Sequence, residues 1–215
     1  MKRTIAIGDI HGASDKLSTL LERLSPGKED RLIFIGDYID RGANSKGVIE
    51  QIIELKRRGY DVIALLGNHE KLLLDYAENP DEGLVPYLRQ HGIEQTLESY
   101  GEKDLSQIPD LSFMPVEHRK FLRNLKTYHL EEKYLFVHAG IRPDRPIQEQ
   151  TPSDFCEIRD VFLKAQDDFG HIVVFGHTPF ESPLVTKNKI GIDTGAVYGH
   201  LLTALILPEM EFIHA

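Results

Sequence analysis

Five short β-rich runs each stop at a glycine beside a polar residue. Thr4–Ile7 runs into Gly8-Asp9, Leu32–Ile35 into Gly36-Asp37, and Val62–Leu66 into Gly67-Asn68. Tyr134–Val137 ends in His138-Ala139-Gly140, and Ile172–Phe175 in Gly176-His177-Thr178. Amphipathic stretches separate the first three runs. Leu17, Leu20, Leu21 and Leu24 form a stripe at i, i+3, i+4 and i+7. Val48, Ile52, Ile53 and Leu55 do much the same before Lys56-Arg57-Arg58-Gly59, a basic last turn with a glycine stop. This β-α-β-α-β order, with helix-length crossovers, predicts parallel strands joined right-handedly. The continuous apolar strands predict a sheet covered on both faces.

Lys71–Leu130 reads differently. It is rich in Leu, Glu and Gln and punctuated by Pro80, Pro86, Pro109 and Pro115. Several short helices are expected there, including Pro115–Leu125 with proline in its first turn. The stretch is either packing on one side of the core or a cap that shapes substrate access. Later segments, Leu184–Thr186, Lys189–Ile192, Leu202–Leu207 and Glu211–His214, follow at the short spacing of antiparallel hairpins or a meander. No repeat, low-complexity tract or linker divides the chain. The expectation is one α/β domain, residues 1–215, with a helical insertion at about 71–130.

In an open α/β sheet the carboxyl ends of neighbouring strands face one crevice. Asp9, His11, Asp37, Asn68, His138 and His177 all follow predicted strands, so they can meet there. A mixed oxygen and nitrogen donor set suits Mn, Fe or Zn better than Mg or Ca. Six donors exceed what one tetrahedral ion requires. Two ions sharing a carboxylate fit better, and Asp37, central in order, is the natural bridge.

Composition excludes several classes. The chain has 25 basic and 34 acidic residues, a net charge of −9, and is a poor match for a nucleic-acid backbone. The longest apolar run, Leu201–Leu207, is far short of the roughly 20 residues of a membrane span. The apolar start of the chain is also shorter than the core of a secretory signal. The single cysteine, Cys156, excludes an internal disulfide and reads as a small packing residue. A cytoplasmic protein without a membrane partner is expected.

The blocks Gly8-Asp9-Ile10-His11-Gly12, Gly36-Asp37-Tyr38-Ile39-Asp40-Arg41-Gly42 and Gly67-Asn68-His69-Glu70 resemble the signature blocks of the phosphoprotein phosphatases, within the metallophosphoesterases. His138-Ala139-Gly140 and Gly176-His177-Thr178 resemble the two later histidine blocks. Length and the ending Ile192-Asp193-Thr194-Gly195-Ala196 look most like the small bacterial and phage members. The resemblance implies a four-layer α/β sandwich with mixed sheets flanked by helices.

By similarity, Asp9, His11 and Asp37 would hold one divalent ion. Asp37 would bridge to a second, completed by Asn68, His138 and His177. Manganese is the first choice, with iron or zinc as alternatives. A hydroxide bridging the ions would attack phosphorus in line. His69 would be the general acid, oriented by Asp40. Arg41 would grip the phosphate, joined by a second arginine. Arg159 is the candidate, with Arg142 and Arg145 as alternatives. Asp193 is either a hydrogen-bonding support for the site or a turn residue. His91, His118, His129, His171, His200 and His214, outside the motifs, read as structural. The regulatory subunits of the large eukaryotic members are not implied, and oligomeric state is not legible.

Three functional readings remain. The first is a protein serine/threonine phosphatase, with phosphotyrosine or small phosphate esters also possible substrates. The second is hydrolysis of dinucleoside polyphosphates, of the symmetrical diadenosine tetraphosphatase kind. The third is an inactive metal-binding module. Asp40-Arg41-Gly42 places the first ahead of the second, and the complete set of donors, His69 and Asp40 argues against the third.

Overall fold

The computed structural model describes residues 3–215. Among these, the first five strands are β1 (Thr4–Ile7), β2 (Arg31–Phe34), β3 (Asp61–Ala64), β4 (Tyr128–Glu131) and β5 (Tyr134–Val137). The others are β6 (Ile172–Phe175), β7 (Leu184–Val185), β8 (Lys189–Gly191), β9 (Thr203–Leu207) and β10 (Glu211–His214). The helices are α1 (Ser14–Leu24), α2 (Ser45–Arg57), α3 (Asn68–Glu78), α4 (Val85–His91), α5 (Ile93–Ser99), α6 (Val116–Arg123), α7 (Pro152–Glu157) and α8 (Asp160–Lys164).

The strands form two five-stranded sheets, ordered β10-β9-β1-β2-β3 and β4-β5-β6-β8-β7. Strands β1, β2 and β3 are parallel, as are β5, β6 and β8. Both sheets are mixed, because β9, β10, β4 and β7 pair antiparallel.

Side-chain alternation along each strand sorts the residues into layers. In β1, Ile5 and Ile7 pack with Leu17 and Leu20 of α1 and Val48 and Ile52 of α2. Ala6 faces the other way and joins Ile33, Phe136, Val174 and Ile190 between the sheets. The outer face of the second sheet, Leu135, Val137, Val173 and Phe175, packs on Phe155, Cys156 and Phe162. The result is helices, sheet, sheet, helices.

Some expectations need correction. The stretch expected to be helical to Leu130 ends at Arg123, and Tyr128–Glu131 is the edge strand β4, paired with β5. Its half-exposed residues make a weak apolar signal. The late segments form antiparallel hairpins, β7 with β8 and β9 with β10, and not one meander: β8 joins the second sheet, whereas β9 crosses to pair with β1 of the first. Both strands are fully buried, so pairing partners far along the chain, not local spacing, decide that membership. Pro115 caps α6 and does not lie in its first turn. The 71–123 helices are packing elements: Leu73, Leu88, Ile93, Leu97, Phe121 and Leu122 are buried in the same core as α2.

Candidate active site

The loops after β1, β2, β5 and β6 and the start of α3 converge at one end of the two sheets. Asp9, His11, Asp37, Asp40, His69, His138 and His177 are all buried there. Close approach is built into the backbone: a Cβ at Gly176 would lie 2.0 Å from Asp9 Oδ1. Asp9 Oδ2 accepts the His177 N–H at 2.9 Å, tying the end of β1 to the end of β6.

Asp37 is the centre of the arrangement. Its Oδ2 lies 3.2 Å from His11 Nε2 and its Oδ1 3.5 Å from His138 Nε2. Burial would raise its pKa, but His138, His69 and His11 hold it well below the usual carboxylate range. Asp37 therefore stays ionised.

The imidazoles present lone pairs inward. His11 Nδ1–H donates to the Ile39 carbonyl at 2.9 Å, and His138 Nδ1–H to the Ile35 carbonyl at 3.0 Å. Each Nε2 then carries a lone pair that could serve a metal. His138 Nε2 faces Asn68 Oδ1 at 3.0 Å, and His177 Nδ1 faces the same oxygen at 2.8 Å. Burial and then the neighbouring His138 charge push His177 down to about 2, so it is neutral.

Five of the nine described non-glycine residues with positive φ lie here: His11 (45°), Asp37 (52°), Asp40 (69°), Arg41 (65°) and His177 (63°). Such backbone persists only where its surroundings impose it. Glu70 supplies much of that constraint. Its fully buried carboxylate accepts N–H bonds from Asp37 (3.0 Å), Tyr38 (2.8 Å), Ile39 (3.1 Å) and Gly67 (3.2 Å). Burial, then the Asp37 charge, push Glu70 up to about 8.

His69 Nδ1 lies 2.7 Å from Asp40 Oδ2. Thr96, brought in by α5, donates its hydroxyl to Asp40 Oδ1 at 2.6 Å and accepts the Asp40 N–H at 2.8 Å. His69 Nε2 is buried without a partner, as are Asp9 Oδ1 and His177 Nε2.

Arg41, Arg159, His11 and His177 line one cavity of about 140 Å³, with Asp193 at its wall. Arg41 Nη1 approaches His11 Nε2 at 2.8 Å. Arg142 and Arg145 lie elsewhere, ion-paired with Asp144 and Asp154. Arg159 is thus the second arginine that the fold brings to the site. Asp193 Oδ1 accepts the Gly195 N–H at 2.9 Å, and burial raises its pKa.

The histidines outside the motifs are mostly satisfied structurally. His118 pairs with Tyr100 and Glu50, and His129 with Glu131. His91 differs, since its ring centroid lies 5.0 Å from that of His69. Glu70 and Thr96 were given no role by the sequence. Glu70 sits inside a quoted motif, but nothing in spacing marks a side chain that binds backbone. Thr96 has no local signal at all.

The donors fit two cations. Two groups, His11-Asp37-His69 and Asp37-His138-His177, each bring ligand atoms within 4.8 Å of one another and share Asp37. Geometry thus sets His69, not Asp9, beside His11 and Asp37. Asp9 Oδ1 is buried against Gly176 without a hydrogen-bond partner. Burial and the charges of Asp193 and Asp37 push Asp9 well above the usual range. Carboxylates that repel one another in this way are stabilised by positive charge.

The calcineurin-like phosphoesterase family model matches residues 2–203. An asymmetrical bis(5′-nucleosyl)-tetraphosphatase of Halalkalibacterium halodurans is 30% identical, across 96% of this chain and 91% of its own. Its counterpart in Bacillus thuringiensis is 31% identical with the same coverage. A proposed diadenosine tetraphosphatase of known structure superposes with a TM-score of 0.71 at 24% identity, covering 100% of this chain and 93% of that one. A protein serine/threonine phosphatase of Saccharomyces cerevisiae gives 0.65 at 14% identity, covering 100% and 79%. These two likenesses show the fold. The paired donor groups around Asp37 fit the dinuclear divalent centre with which the family works. No helix among the described residues is long and apolar enough to cross a membrane. The chain belongs to the calcineurin-like phosphoesterase family.

Proposed function

We propose that this phosphoesterase hydrolyses bis(5′-nucleosyl) tetraphosphates asymmetrically. The observation that carries this reading is the relation, along nearly the whole chain, to tetraphosphatases at 30–31% identity. The preference for phosphoproteins drawn from Asp40-Arg41-Gly42 is reversed. That block builds a histidine–aspartate pair and an arginine, which serve any leaving oxygen and any phosphate. The symmetrical mode of cleavage also gives way, because the relatives carry the asymmetrical name.

Asp9, His11 and Asp37 would hold one ion, and Asp37, Asn68, His138 and His177 the other. When bound, two divalent ions supply a nucleophile at neutral pH and positive charge opposite the phosphate; manganese is the first choice. Arg41 and Arg159 orient the phosphate from the cavity. Asp40 fixes the His69 tautomer through Nδ1. His69 Nε2 then holds the proton that the departing oxygen needs. Burial keeps competing water from that proton. The reaction needs no side-chain nucleophile: burial pushes the Cys156 thiol up, and its Sγ–H donates to the Leu66 carbonyl.

The test is turnover of diadenosine tetraphosphate beside a phosphoserine peptide, with defined Mn²⁺ and chromatographic separation of products. ATP plus AMP, formed faster than peptide phosphate, is the expected result. Two ADP would overturn asymmetry, and faster peptide turnover would restore the phosphoprotein reading.

A further inference from the structure

Tyr198 stands beside the reaction centre with much of its ring bare. It is 57% exposed, yet it lines the same cavity as His11, Arg41, Arg159 and His177. A single exposed apolar side chain means little by itself. Here the position is built. The turn Ala196–Tyr198 is bracketed by Gly195 (φ 71°) and Gly199 (φ 90°), conformations that favour glycine. Asp193 holds the Gly195 N–H, and Lys16 Nζ donates to the Ala196 carbonyl at 2.9 Å.

The ring is also next to the phosphate-orienting group, with the Arg41 guanidinium 5.7 Å from its centroid. Tyr87, a comparably exposed tyrosine, has its ring against His91 at 4.1 Å between centroids. Among the described residues no aromatic ring stacks on Tyr198 in this way.

We infer that Tyr198 is a stacking platform for a nucleobase, placed one nucleotide from the phosphate bound by Arg41 and Arg159. The inference rests on the dinucleoside reading above. Asymmetrical cleavage of a tetraphosphate releases a nucleoside monophosphate, so one nucleoside always lies within one phosphate of the broken bond. Symmetrical cleavage places each nucleoside one phosphate further away. An aromatic face close to the arginines suits the first geometry. A base of any identity offers a π-face to such a ring, so the platform selects nucleotides without selecting among bases.

The test compares two ligands by equilibrium titration of the full-length, Mn²⁺-loaded protein. AMP carries the base; ribose 5-phosphate carries the same sugar and phosphate without it. AMP should bind at least about fivefold more tightly, the low end for one base on one aromatic ring. Tyr198→Ala should bring that ratio close to one, and Tyr198→Phe should retain it. Ribose 5-phosphate binding reports in each variant that the site is folded. Equal wild-type affinities, or an AMP advantage that survives Tyr198→Ala, would overturn the platform. Diadenosine tetraphosphate turnover is measured in parallel. No turnover with the AMP ratio intact sinks the dinucleoside reading and keeps the platform; turnover without the ratio does the reverse.

Discussion

His69 Nδ1 and Asp40 Oδ2 lie 2.7 Å apart, with both side chains buried and His69 Nε2 left facing the site. A proton held at Nε2 matters most when the departing oxygen is a poor leaving group. His69→Asn should therefore lose about 10²- to 10⁴-fold in kcat on alkyl phosphates or tetraphosphates, and much less on p-nitrophenyl phosphate. Asp40→Asn should show the same asymmetry in milder form. Equal losses on both substrate types would give His69 another task.

Asp37 is shared by both donor groups, so its loss should cost both ions. Chelation should abolish activity and Mn²⁺ restore it. Metal analysis of Asp37→Asn should find well under one ion per chain, whereas Asn68→Ala should retain one. Full activity in metal-free protein would end the two-ion reading.

Glu70 is a prediction about stability. Its carboxylate accepts four backbone N–H groups beneath the site. Glu70→Gln turns an amide N–H₂ toward some of those donors and leaves them unsatisfied. Denaturant unfolding above about pH 8, where Glu70 is ionised, should show a loss of about 3 kcal/mol or more. A change below about 0.5 kcal/mol, the size of an ordinary surface substitution, would remove that role.

The two arginines in the cavity should separate from the two outside it. Arg159→Ala should raise KM about tenfold or more, because a charged phosphate contact is lost. Arg142→Ala, whose partner is Asp144 on the surface, should leave KM unchanged.

Acid sensitivity should have a source far from the site. Asp30 is buried and accepts from the Arg3 side chain, at 3.2 Å for Nε, and from the Gly27 N–H at 2.8 Å. The Arg3 hydrogen bonds, outweighing burial, hold its pKa below the ordinary value of 3.8. Because the folded pKa is depressed, the stabilisation is complete above about pH 4 and is lost as pH falls further. Asp30→Asn should flatten that acid limb. An unchanged stability-versus-pH curve would assign acid unfolding elsewhere.

The strands that carry the site were legible because each ends in a glycine and a donor, a pattern of neighbours in the chain. Asp9, Asp37, Asn68, His138 and His177 could be read for that reason. The sheet that each late strand joins could not. Ile190 and Leu205 are both short-run apolar residues buried between the two sheets, and only strand pairing, β8 with β6 and β9 with β1, tells them apart. Nor could Thr96 be read, because it meets Asp40 across 56 positions of chain. Arg159 already stands ahead of Arg142 and Arg145 in the sequence, and the fold adds that it lines the cavity while they pair with Asp144 and Asp154.

The bond between Thr96 and Asp40 bears on how freely this enzyme can be remodelled. The helices between α3 and β4 look like an interchangeable module, the kind that divergence or design would swap to change substrate. One hydroxyl from that module reaches into the His69–Asp40 pair, as both donor and acceptor. An exchange of the module that does not bring an equivalent hydroxyl will disturb Asp40 along with the core. Core packing and the setting of the His69–Asp40 pair are therefore inherited together through this segment.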